Sequence, residues 1–119
     1  STASFIATKL VRRFVADSPP AALVRQVADV FLQTDGDIRA MLRTIFTSSE
    51  FAASADQKVK RPAEFIQSAL RATNAQLTGT TYFRALNDRL NNMGQLPFMW
   101  PAPNGYPDVQ NYWINTTAW

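Results

Sequence analysis

Two residue types missing from this chain narrow its chemistry more than any it contains. Without cysteine, disulfides, thiolate nucleophiles and Cys-ligated metals are excluded. Without histidine, most zinc, copper and haem ligation and every His-based triad are excluded too. Cations, scattered acids and aromatics remain. The densest cationic run, Lys58-Val59-Lys60-Arg61, directly precedes Pro62, where a helix start leaves backbone N–H groups unpaired and carries the positive end of the helix dipole. A phosphate, sulfate or carboxylate suits such a place, so Lys58, Lys60 and Arg61 are candidate anion-binding residues. The competing reading is that Lys58 and Arg61 solvate a connector or pair with acids such as Glu50 and Glu64. The sequence has no Gly-rich phosphate loop followed by Lys and Ser or Thr.

Arg13 is a fourth candidate. It sits beside Phe14, with Lys9 and Arg12 nearby, and suits either a salt bridge to another helix or bidentate recognition of a carboxylate. Asp35 and Asp37 flank Gly36 in a superficially calcium-loop-like way, yet the further oxygen ligands and closing Glu of such a loop are missing, so turn formation and capping explain them. The remaining acids are too scattered to pair, and nothing supplies a base for Ser48 or Ser49. No catalytic, cofactor-binding or metal-ligating residue is assigned, and no cofactor is implied.

The aromatics are the other candidate surface. Phe98, Trp100, Tyr106, Tyr112 and Trp113, with Trp119, fall in a final segment that holds all three tryptophans and two of the three tyrosines. Such side chains stack on sugar rings, nucleobases or proline-rich peptides, and rigid aromatics are favoured at interfaces. The alternative is structural: prolines hold an extended strap across the helices while the aromatics plug the core.

Elements must position these residues. Apolar residues Phe5, Ile6, Leu10, Val11, Phe14 and Val15 form the stripe of a first helix, which Asp17, Ser18, Pro19 and Pro20 end. Ser18 as cap and Pro19 as first position open a second helix to Gln33, with Leu23, Val24, Val27, Val30 and Phe31 inward. Asp37 to Thr47 has the clearest period, with Ile38, Met41, Leu42, Ile45 and Phe46 on one face, and Ser49 begins a short helical turn. Pro62 starts a helix to about Ala75, with Phe65, Ile66, Ala69 and Leu70 inward. A further helix runs from Gly79 to Gly94 through Tyr82, Phe83, Leu86, Leu90 and Met93. From Gln95 to Pro107, where four of the seven prolines fall, the helical pattern stops, and Asp108 caps a last short helix. The expected fold is all-α: a single domain over 1–119, with a compact bundle of four to five amphipathic helices in 1–94 and a Pro/aromatic-rich strap and short last helix in 95–119.

Composition agrees with a folded domain, since 46% of the 119 residues are hydrophobic and only 18% charged. Charged residues interrupt every apolar stretch well before the roughly 18 to 20 residues of a membrane span, so a transmembrane protein is not expected. A net charge of +3, with twelve basic residues interleaved with nine acids, does not point to nucleic acid. The chain opens at Ser1 already in a helical pattern, with neither an initiator Met nor a signal region, and reads as a portion of a longer protein.

Four phrases in order resemble an uncharacterised bacterial family, domain of unknown function 1800. They are Phe5 through Val15; Gly36-Asp37-Ile38-Arg39 through Thr47-Ser48-Ser49-Glu50-Phe51; Lys58 through Pro62 with Glu64-Phe65; and Gly94-Gln95-Leu96-Pro97-Phe98 through Tyr106-Pro107 to Trp113-Ile114-Asn115-Thr116. Tyr106 departs from the tryptophan expected there, a mild aromatic exchange. The resemblance implies the C-terminal part of a longer, often exported protein and a cell-envelope location, and it supplies no catalytic residues.

The resulting expectation is a non-enzymatic helical structural or interaction module. Its partner would be another protein or the N-terminal portion of its own chain, with an anionic ligand as a further option. The alternative is a C-terminal supporting region of an exported enzyme or glycan-binding protein whose site lies mainly in that N-terminal portion.

Overall fold

A computed structural model describes residues 1–114, and Trp119, one of the expected strap aromatics, lies outside the described residues. The chain divides into two compact units, Ser1–Val59 and Lys60–Trp119. The first holds α1 (Thr2–Phe14), α2 (Ala21–Gln33), α3 (Ile38–Phe46) and α4 (Ser49–Ala53). The second holds α5 (Pro62–Ala72), α6 (Thr80–Asn92) and α7 (Gln110–Trp113).

In the first unit α1 packs on α2 and α2 on α3, with α4 following against α3. The core is built from Ala3, Ala7, Val11 and Val15 of the α1 region, Leu23, Val27 and Ala28 of α2, and Met41 and Ile45 of α3. The expected α1 stripe holds in part: Val11 and Val15 are buried and Ile6 and Leu10 pack against the core, while Phe5 and Phe14 lie outside it. Ala3 and Ala7, which continue Val11 at four-residue spacing, join it in the core, whereas Phe5 is 61% exposed. Alanine's small side chain lets the helix axes approach closely, and a stripe weighted by large residues overlooks that. Phe14 stacks edge-on against Phe46 with centroids 5.1 Å apart, and Phe46 against Phe51 at 5.1 Å, forming an aromatic row beside the core.

Local chemistry fixes the helix ends. Asp37 caps α3, its carboxylate accepting from the N–H groups of Arg39 at 2.8 Å and Ala40 at 3.3 Å. Ser48 caps α4 by accepting from Phe51 N–H at 3.1 Å. The start of α2 departs from expectation: Pro20 (φ −59°, ψ 122°) is the cap and Ala21 the first helical residue. Pro19 precedes another proline, whose ring drives it out of the α region, so the Ser18-Pro19 start fails. Three helices close alike. The second residue past the cap donates back to the third-last helical carbonyl, Gly36 to Phe31 at 2.8 Å, Ala75 to Leu70 at 3.0 Å and Gln95 to Leu90 at 2.8 Å. The residue between takes positive φ in each case, namely Asp35, Asn74 and Gly94.

The expected architecture requires correction on two counts. The described residues form seven helices rather than four to five, because α4 and α7, expected only as a short turn and a last short helix beside the bundle, are helices of their own, five and four residues long. Among the described residues there is no extended strap either: between α6 and α7 the chain folds in hydrogen-bonded turns and bends. Met99 N–H bonds Leu96 O at 3.3 Å, and Gly105 N–H bonds Ala102 O at 3.4 Å. Pro97 and Pro103 occupy the second position of these turns, where their fixed φ favours reversal over extension. Val109, not Asp108, stands at the α7 cap.

Candidate functional site

Two of the four candidate cations are held by the chain's own acceptors. Lys58 Nζ donates to Asp17 Oδ1 at 2.9 Å and to the Arg12 carbonyl at 2.8 Å, the latter among the carbonyls that α1 leaves unpaired at its C-terminus. Arg12 Nε donates to Asp17 O at 3.2 Å, so a single loop closes the end of α1. Arg13 is half-buried on the same helix and also makes an interaction. In the second unit the Arg61 guanidinium grips Glu64 Oε1 through Nη2 at 2.7 Å and Nε at 3.1 Å, while Glu64 Oε2 accepts from the Arg61 backbone N–H at 3.1 Å. Lys60 is exposed.

The N-terminus of α5, the candidate anion site, is met by two acceptors of the protein itself. Glu64 takes the Arg61 N–H, and Oε1 of Gln95 takes the Ala63 N–H at 2.8 Å. Gln95 is only 9% exposed and stands 32 residues from the amide it caps. Sequence reasoning missed it. Its one signal was a long polar side chain directly after the helix-ending Gly94.

The five candidate aromatics separate into two groups. Trp100, Tyr106, Trp113 and Tyr112 form a closed ring of contacts, with successive centroids 5.0, 5.7, 4.8 and 5.8 Å apart. Polar tips fasten it: Tyr106 Oη donates to Leu96 O at 2.7 Å, Trp113 Nε1 to Pro107 O at 2.8 Å and Trp100 Nε1 to Asn104 Oδ1 at 3.1 Å. Trp113 is 3% exposed and serves as the plug of this small cluster, while Tyr112 leaves 48% of its surface open. Phe98 stands apart. It is fully exposed, its neighbour Met99 is 65% exposed, and its φ is +65°. That is the third position of the Leu96–Met99 turn, where positive φ ordinarily selects Gly or Asn. Met99 was not singled out from sequence because only rings were counted.

The arrangement can therefore present a hydrophobic tip, Phe98 and Met99, on a turn stiffened by stacked rings. Among the described residues no group of three or more His, Cys, Asp or Glu is placed to hold a metal ion. No described helix is long and apolar enough to cross a membrane.

No curated protein and no solved structure matches the chain. Residues 1–119 match the family model described as "Protein of unknown function (DUF1800)", and the chain belongs to that family.

Proposed function

We propose that the chain is a non-enzymatic interaction module whose recognition surface is the aromatic turn segment, with Phe98 and Met99 as its anchors. The observation that carries this reading is the fully exposed Phe98 held at positive φ. A large apolar side chain gains nothing from water and strains the backbone there, so its value must come from what it contacts when bound. Exposed Phe65 on α5 and Tyr82 and Phe83 on α6 add apolar surface to the same unit. The proposed partner is protein, and the first to test is the preceding part of a longer family protein of which this chain would form the C-terminal region.

The chain has no cysteine, so Met99→Cys gives a unique thiol probe. Its rate of labelling by a maleimide should be fast in the isolated chain and at least about tenfold slower in the full-length family protein, the factor set by about 1.4 kcal/mol of protection. Equal rates in both, with no added partner slowing either, would refute the role of this tip. A second reading has one observation in its favour. From Leu90 to Trp119 the only charged side chain is Asp108, and amides are frequent, a composition suited to a neutral glycan. Slower labelling with neutral oligosaccharide would favour that reading.

A further inference from the structure

We propose that Asn104 is a site of spontaneous covalent modification, converting to aspartate and isoaspartate by ring closure onto the Gly105 backbone nitrogen, with the Trp100 indole as the group that positions it. The inference stands independently of the interaction role above. Asn104-Gly105 is the one Asn-Gly pair in the sequence, and both residues are exposed. Ring closure needs the next backbone nitrogen to reach the side-chain Cγ, and a side chain on that next residue obstructs the approach. Gly105 offers none: its φ is +71°, and the space where a Cβ would stand is open within 4 Å. The Gly105 N–H is held only by the long 3.4 Å contact to Ala102 O, near the limit of a hydrogen bond, so little is lost in freeing it.

The electrophile is prepared from the other side. Trp100 Nε1 donates to Asn104 Oδ1 at 3.1 Å. When the Gly105 nitrogen adds to Cγ, negative charge develops on Oδ1, and the indole N–H already points at that atom, as a donor to an oxyanion does. The step balances without oxidant or reductant. The nitrogen–Cγ bond forms, the Gly105 amide proton goes to solvent, and the Cγ–Nδ2 bond breaks with Nδ2 leaving as ammonia, protonated by water. Water then opens the cyclic imide. Attack at the side-chain carbonyl gives aspartate, and attack at the backbone carbonyl gives isoaspartate, with the chain rerouted through the side chain.

The other described asparagines lack this combination. Asn87, Asn91 and Asn92 lie in α6 and Asn111 in α7. Asn74 precedes Ala75, which carries a Cβ and whose N–H is bonded to Leu70 O at 3.0 Å. Conversion at Asn104 has a local consequence as well. It adds a carboxylate to a stretch whose one charged side chain is Asp108, and it alters the partner of Trp100 within the ring cluster.

The test is to incubate the purified chain at mildly alkaline pH and physiological temperature, then map peptides by mass spectrometry with separation of the two isomers. Asn104 should convert several-fold faster than Asn74, Asn87, Asn91, Asn92 or Asn111. Gly105→Ala should erase that lead, since the added Cβ blocks the approach. Trp100→Phe keeps a ring but removes the donor, and should slow conversion at Asn104. A wild-type chain in which another of these asparagines leads overturns the proposal without recourse to any variant. An unchanged or faster rate in Trp100→Phe overturns the role given to the indole.

Discussion

Replacing Gln95 by alanine isolates one contact between distant parts of the second unit. Ala63 is the second residue of α5 and has no acceptor within the helix, so the 2.8 Å bond to Gln95 Oε1 is what satisfies its N–H. Losing a neutral hydrogen bond at a part-buried site, with the donor left to whatever water reaches it, costs about 1–2 kcal/mol. The amide hydrogen of Ala63 should then exchange about 5- to 30-fold faster, the ratio those energies imply. Exchange followed by NMR reads this site directly and does not depend on how the two units unfold. Gln95→Asn, with the same amide on a side chain one methylene shorter, should fall short of Ala63 and behave like alanine. If Ala63 stays as protected in both variants as in the wild type, Gln95 does not cap α5, and the account of why this polar residue is buried is wrong.

Lys58→Met retains much of the apolar stem but leaves Asp17 and the Arg12 carbonyl without their shared donor. Both ends of the Lys58–Asp17 pair are largely shielded, at 20% and 25% side-chain exposure, so the expected loss is about 1–2 kcal/mol in urea denaturation, smaller at high salt. Phe98→Gly should behave in the opposite way. Relief of a left-handed backbone is worth about 1–2 kcal/mol, offset by about 0.5–1 kcal/mol for glycine's extra freedom when unfolded, and the fully exposed ring has no packing to lose. Thermal unfolding should show a stability unchanged or slightly raised. A loss of several kcal/mol would mean that the ring packs in solution, and the exposed tip would have to be abandoned.

The parts of this fold legible in the sequence are those whose cause is local. Met41 and Ile45 are fully buried on α3 as their spacing requires, and Asp37 and Gly94 cap and terminate helices through their own backbone and side-chain chemistry. Errors arose where two local rules competed. Ser18-Pro19 is a good helix start only if the next residue is not also proline, and Pro20 decides the matter. In α1 the large residues marked Val11 and Val15 correctly, but packing added Ala3 and Ala7 to the buried face and left Phe5 outside it. Gln95 and Ala63 are 32 residues apart, and no propensity at either position announces the other.

The aromatic segment carries that distinction furthest. The composition of 95–107 marks a stretch without helix, but composition cannot say which rings meet one another and which meet solvent. Trp113 and Phe98 would look equally well suited to a core or an interface, yet one is 3% exposed and the other is fully so. The difference comes from turn geometry. Pro97 sits in a reversal whose next residue, Phe98, has positive φ and stands apart from the cluster that Trp100, two residues on, joins. Proline, read from sequence as the stiffener of an extended strap, acts instead as the residue that separates a stacked set of rings from a displayed one. The surface proposed for recognition follows from that separation rather than from the number of aromatics.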